Sequence, residues 1–127
     1  MILITLPDLP PSVNHSLAVR RRGSVTRLGK SDEYLAWIRK GAWHVQAQRK
    51  GQCLSGPVEF RFTAKRPCAA SDLDNRLKPI IDACQQGGAI GNDNQIVRIV
   101  AEWDDAIDAP TVILQPIAGL QPGREAA

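Results

Sequence analysis

Val58-Glu59-Phe60-Arg61-Phe62-Thr63, then Leu73, Leu77, Ile80 and Cys84, then Ile96-Val97-Arg98-Ile99-Val100-Ala101-Glu102-Trp103 form the stretch whose reading decides the fold. In the first run apolar and polar residues alternate, the period of a half-buried strand rather than a helix. Pro67 stops it. In the second, apolar residues recur at intervals of four, three and four, which is one face of an α-helix, and Gly87-Gly88 terminates it. Pro79 falls inside that helix, where it removes a hydrogen bond and meets the carbonyl of Asn75, so a bend or an irregular first turn is expected. The third run is a strand.

Outward from this centre, Ile2-Leu3-Ile4-Thr5-Leu6 reads as a strand closed by Pro7, and Thr111 to Ile117 as a last strand reached through Asp104-Asp105. Ser31 followed by Asp32 and Glu33 predicts a helix start, with Leu35, Ile38, Ala42 and Val45 as its apolar face and Gly51 as its end. The order is β-α-β-α-β-β, an α+β domain with two helices on one face of a four-stranded mixed sheet. Residues from Pro7 to about Lys30 read as a long irregular loop that carries Arg20, Arg21, Arg22, Arg27 and Lys30 and so faces solvent or DNA, and loops of that length tend to carry function. One domain is expected over residues 1–118, with a flexible tail over 119–127.

A chain of 127 residues with 43% apolar and 23% charged residues suits one soluble core. No run is long and apolar enough to cross a bilayer, and Met1 to Pro7 lacks the basic region of a signal peptide, so a cytoplasmic protein is expected. Cys53, Cys68 and Cys84 are widely spaced, odd in number and accompanied by only two histidines, which speaks against disulfides and structural zinc. The net charge of +3 divides unevenly: residues 1–50 hold nine Lys/Arg against three Asp/Glu, and residues 51–127 seven against ten. A basic front half and an acidic back half would draw a polyanion toward carboxylates, although such asymmetry is more often without specific meaning.

Ser71-Asp72-Leu73-Asp74-Asn75-Arg76-Leu77-Lys78-Pro79-Ile80-Ile81-Asp82, with Asp93 eleven residues beyond, carries the chemistry. Residues two apart share a face in extended chain but lie far apart around a helix. For Asp72 and Asp74 to act together they should therefore sit on an extended entry to the helix, with Leu73 turned inward, where both can reach one hard cation. Lys78, four residues after Asp74, could touch a phosphate, and Asp82, four further on, could pair with Lys78. The bland alternative is that either aspartate alone caps the helix. Other motifs fail. Asp72-x-Asp74 is no EF-hand, because Leu77 stands where glycine is required, and Gly87-Gly88-Ala89-Ile90-Gly91 follows a helix, the reverse of a dinucleotide-binding turn. His15 and His44 form no nucleophilic triad, and Trp37, Trp43 and Trp103 read as packing groups rather than base-stacking platforms.

Asp72-Leu73-Asp74-Asn75, Lys78, Ile81-Asp82-Ala83 and Asn92-Asp93-x-Gln95-Ile96-Val97, with an opening Leu6-Pro7 and Pro10-Pro11-Ser12-x-Asn14, resemble the RusA family of Holliday junction resolvases over about residues 2–117. The resemblance implies a homodimer that binds four-way DNA junctions and cuts the backbone with Mg2+, in DNA recombination and repair. It assigns metal binding and catalysis to Asp72, Asp74 and Asp93, an essential basic role to Lys78, and a helper role to Asn75; Asp82 is a supporting group by its spacing from Lys78. Asn14, Arg20, Arg21, Arg22, Arg27 and Lys30 become candidates for DNA contact. One departure stands out: family members often carry two adjacent acids in the turn, and here the first place is Asn92. Two other readings stay open, a branched-DNA-binding protein of the same fold that does not cut, and a magnesium-dependent hydrolase of a small phosphorylated substrate.

Overall fold

In a computed structural model of the chain, which describes residues 1–12, 17–22 and 25–118, the main sheet forms around Val58–Ala64. In chain order the elements are β1 (Ile2–Thr5), β2 (Leu17–Arg22), β3 (Val25–Lys30), α1 (Asp32–Gln48), β4 (Val58–Ala64), α2 (Leu77–Gln86), β5 (Ile96–Trp103) and β6 (Thr111–Pro116). Val58, Phe60, Phe62 and Ala64 are all fully buried, as their alternation requires, and β4 lies inside a four-stranded sheet of order β1-β6-β4-β5. β4 pairs parallel with β5 and antiparallel with β6, so the sheet is mixed and the expected α+β class holds. Ile2, Ile4, Val112 and Leu114 extend its buried face, against which both helices contribute to a single core.

The helices approach closely. A Cβ on Gly87 would lie 2.6 Å from the Ala42 carbonyl oxygen and 2.6 Å from Val45 Cβ, so only glycine fits where the end of α2 meets α1. That end is closed by a Schellman motif: Ala89 N–H donates to the Cys84 carbonyl and Gly88 N–H to that of Gln85, with Gly88 at φ +85°. Ser31 caps α1 as expected, its hydroxyl accepting from Tyr34 N–H. Pro79 falls in the first turn of α2, where its missing N–H leaves no orphan, and the irregularity predicted for it takes the form of a 3-10 turn over Asp74–Arg76.

Four expectations are corrected. The segment before Lys30 is not wholly irregular, because β2 and β3 form an antiparallel hairpin, with Arg20 in register with Arg27. Leu35 is 40% exposed, and the buried face of α1 is instead Tyr34, Trp37, Ile38, Gly41, Ala42 and Val45, since the two aromatic rings cover more core than one leucine could. Trp43 is 67% exposed, with the His44 ring edge-on to it, so it does not pack in the core as Trp37 does. Leu73 already has helical dihedrals (φ −65°, ψ −46°), so Asp72 and Asp74 do not flank an extended residue. Asn14, His15 and the tail 119–127 lie outside the described residues. Among the described residues, no helix is long and apolar enough to cross a membrane.

Candidate functional site

Helix α2 has two faces, and the site grows from the polar one. Pro79, Ile80, Ile81, Ala83 and Cys84 are buried, while Lys78, Asp82 and Gln85 project from the remaining surface. Lys78 Nζ lies 3.0 Å from Asp82 Oδ1, the i,i+4 pair expected from spacing, and 3.1 Å from Asp93 Oδ2. The hydrogen bond with Asp82 raises the Lys78 pKa above its ordinary value, opposed by some desolvation and reinforced by Asp93, so Lys78 stays an ammonium at neutral pH. Asp82 is only 17% exposed, and its other oxygen accepts a 2.8 Å hydrogen bond from the Tyr34 hydroxyl on α1.

Asp93 is delivered by a tight turn. Asn92 and Gln95 form a capping box around a 3-10 turn over Asp93–Gln95, with Asn92 Oδ1 accepting from Asn94 N–H at 2.9 Å. The Asn92 carbonyl-type oxygen is thus a structural cap, a task that asparagine and aspartate perform equally well. Gln95 locks the turn at both ends of its amide: Oε1 accepts from Gly91 N–H (2.8 Å) and Asn92 N–H (3.0 Å), while Nε2 donates to the carbonyls of Leu54 (2.9 Å) and Gly56 (3.0 Å). Asp93 N–H donates to Gln85 Oε1 at 3.0 Å, tying the turn to α2. A polar hollow of about 420 Å³ lies alongside, lined by Asp82, Gln85, Gln86 and Gly91.

The acidic motif before α2 is arranged differently. Asp72 is exposed and accepts from Asn75 Nδ2 at 3.2 Å, which explains the asparagine: it steadies Asp72 from one turn away. Asp74 opens the 3-10 turn, is exposed, and makes no side-chain hydrogen bond or ion pair among the described residues. Neither aspartate caps that turn. Arg76 donates to the Pro10 carbonyl, at the edge of a cleft of about 490 Å³ lined by Asp8, Pro10, Trp37 and Lys40. Asp72 and Asp74 do not line that cleft.

The structure therefore joins Asp93, Lys78 and Asp82 on one side and Asp72 and Asn75 on the other. Among the described residues no three acidic, histidine or cysteine side chains gather into a ready-made metal cage. Tyr34, Gln85 and Gln95 are absent from the sequence-predicted site yet hold it in shape. The i,i+3 offset of Asn92 and Gln95 is a capping-box spacing and could have flagged the last of them. The side chains of Arg20, Arg21, Arg22, Arg27 and Lys30 are not among those described; their backbone forms the β2–β3 hairpin.

An α+β scaffold that displays carboxylates and a charge-paired lysine on an exposed helix and turn, rather than inside an enclosed pocket, leaves these groups open to a large substrate. The family model described as Endodeoxyribonuclease RusA matches residues 8–115, and the chain belongs to that family, one of DNA-cutting nucleases. None of the curated protein sequences matches the chain.

Proposed function

We propose that this protein is a structure-selective endonuclease that resolves Holliday junctions by magnesium-dependent hydrolysis, acting as a cytoplasmic homodimer in DNA recombination and repair. The observation that carries the proposal is the placement of Lys78 between Asp82 and Asp93 at the foot of the helix preceded by Asp72, Asp74 and Asn75. Family membership adds the DNA backbone as substrate.

The chemistry of the donors suits magnesium, although among the described residues the three carboxylates are not gathered into one cage. Asp72, Asp74 and Asp93 offer only hard oxygen ligands at solvent-accessible positions, and magnesium commonly keeps several waters while taking one or two carboxylates and a substrate phosphate. These three residues would hold the ion, which when bound supplies Lewis acidity and a water of lowered pKa. Lys78 would then face the scissile phosphate and offset charge developing on its oxygens, a group already charged at neutral pH and already fixed in direction. Asn75 steadies Asp72, and Asp82 steadies Lys78. The β2–β3 hairpin contributes Arg20, Arg21, Arg22, Arg27 and Lys30 as phosphate contacts that set affinity without reading bases, with Asn14 beside them in sequence. A two-fold dimer would present paired sites to a nearly symmetric junction, giving paired nicks.

The test uses a labelled four-way junction with a magnesium titration. Wild-type protein should bind and nick it, and Asp74→Asn should bind as well or better while cutting at least about a hundred-fold more slowly, the order seen when a group stabilising the transition state is removed. Full cleavage by the variant would falsify the assignment of Asp74. Binding by the wild type without cutting at any magnesium concentration would instead favour a junction-binding protein of this fold.

A further inference from the structure

Tyr34 lies outside the acidic motif, on the other helix, and 48 residues from the group its hydroxyl touches. Tyr34 is 2% exposed and belongs to the core cluster, and its hydroxyl oxygen reaches Asp82 on the polar face of α2. The Ser31 cap fixes the backbone from which it projects, through the 3.1 Å bond to Tyr34 N–H. From there a continuous chain of contacts runs to the candidate site: Tyr34 hydroxyl to Asp82 Oδ2 at 2.8 Å, Asp82 Oδ1 to Lys78 Nζ at 3.0 Å, and Lys78 Nζ to Asp93 Oδ2 at 3.1 Å.

We propose that Tyr34 is a positioning residue for cleavage, which sets the plane of the Asp82 carboxylate and through it the direction of the Lys78 ammonium. The inference rests on the reading above that Lys78 acts at the scissile phosphate. Its physical basis is that lysine is among the most flexible side chains, carrying up to about 2 kcal/mol of rotamer entropy. Lys78 is 54% exposed, so a salt bridge to a freely rotating carboxylate would leave it mobile. Asp82 is held at both oxygens by groups on different helices, and a carboxylate held so cannot rotate about its last bond without breaking a contact. Because Tyr34 is anchored in the packed interior, the surface lysine takes its orientation from the core rather than from solvent. Burial, followed by the contact with Asp82, raises the phenol pKa well above its ordinary value, so Tyr34 remains a donor throughout the working pH range.

Single-turnover cleavage of a four-way junction by the full chain tests this with Tyr34→Phe, Lys78→Ala and the double variant. The phenylalanine keeps the buried ring and removes one hydroxyl. Tyr34→Phe should cut about ten-fold more slowly with unchanged junction affinity, the scale expected of a sub-ångström misplacement, and should add nothing to the loss in Lys78→Ala. A purely structural tyrosine would slow both backgrounds alike, and that additive result would overturn the proposal. So would a wild-type rate in Tyr34→Phe when Lys78→Ala is crippled. Full activity in Lys78→Ala would overturn the underlying reading of Lys78 instead, a distinguishable outcome. Should Tyr34→Phe melt early, Asp82→Asn carries the same cycle at the surface, and there too a wild-type rate or an additive loss counts against the relay.

Discussion

Replacing Gln95 by alanine should unfasten the turn that presents Asp93. The side chain makes four hydrogen bonds, two accepted from Gly91 and Asn92 and two donated to the Leu54 and Gly56 carbonyls. Net hydrogen-bond contributions run about 0.5–1.5 kcal/mol each, and with the two accepted bonds exposed to solvent the sum falls at about 2–4 kcal/mol. For a domain of this size that corresponds to a melting temperature lower by roughly 10 °C. Gln95→Glu separates the halves of the amide. It keeps an acceptor for the two N–H groups but turns a carboxylate oxygen toward two carbonyls, so it should lose at least as much as half of the alanine effect despite being nearly isosteric. Urea unfolding reads the stability, and junction cleavage should fall further than junction binding because Asp93 rides on the turn. An alanine variant within about 0.5 kcal/mol of wild type, or a glutamate variant equal to it, would show that the amide does not hold the turn.

Changing Arg20, Arg21 and Arg22 together to alanine should weaken junction binding and flatten its dependence on salt by up to about three counterions' worth of slope, measured by binding over a salt series; unchanged affinity at low salt would remove the hairpin from the interface. The cysteines should separate by environment. Cys68, whose thiol pKa is lowered chiefly by the Ser71 hydroxyl, should react first with a thiol reagent, exposed Cys53 next, and buried Cys84 only on unfolding. Burial pushes the Cys84 pKa from 9.0 up to about 12, so the folded state holds that proton more tightly than the unfolded chain does. Its contribution is complete below about pH 9 and is lost as pH rises toward about 12; comparing wild type with Cys84→Ala by urea unfolding at about pH 8 and about pH 10 should show a shallower decline in the variant.

The main sheet and its two helices were legible because each buried element repeats its own period several times. Val58, Phe60 and Phe62 mark β4 without help from other residues, and Ile80 and Cys84 mark the inner face of α2. The hairpin was hidden because its apolar residues, such as Val19 and Leu28, are diluted by arginines and follow a proline-containing stretch, leaving no clean alternation. Leu35 satisfies the helical period yet lies outside the buried face for a related reason: a 3.6-residue period tolerates a shift of one position, and Tyr34 is the better space filler on the same turn. At the site, the Lys78–Asp82 pair follows from spacing alone. The contacts that hold it do not, since Gln95 reaches carbonyls 41 and 39 residues away and Tyr34 reaches across 48. A long-range hydrogen bond leaves no periodic trace in one sequence.

Helix α2 resolves two demands that usually oppose each other, rigidity and access. Asp93 must return alongside the helix, because its side chain meets Lys78 and its N–H meets Gln85, residues seven apart and therefore about 10 Å from each other along the axis. Gly88 makes that return possible by taking the positive φ of the Schellman turn, and Gly87 lets the same end of α2 press against α1. The inner face of the helix is thus welded into the core at Ile80, Ala83 and Cys84, while its outer face meets solvent at Lys78. A site built this way needs no enclosing pocket to keep its groups aligned, and an extended polymer can reach it from outside. The basic residues that would grip such a polymer sit instead on the β2–β3 hairpin, on a different stretch of chain. If gripping and cutting are divided between these two elements, substitutions on the hairpin should move affinity at constant cleavage rate, and substitutions on α2 should move the rate at constant affinity.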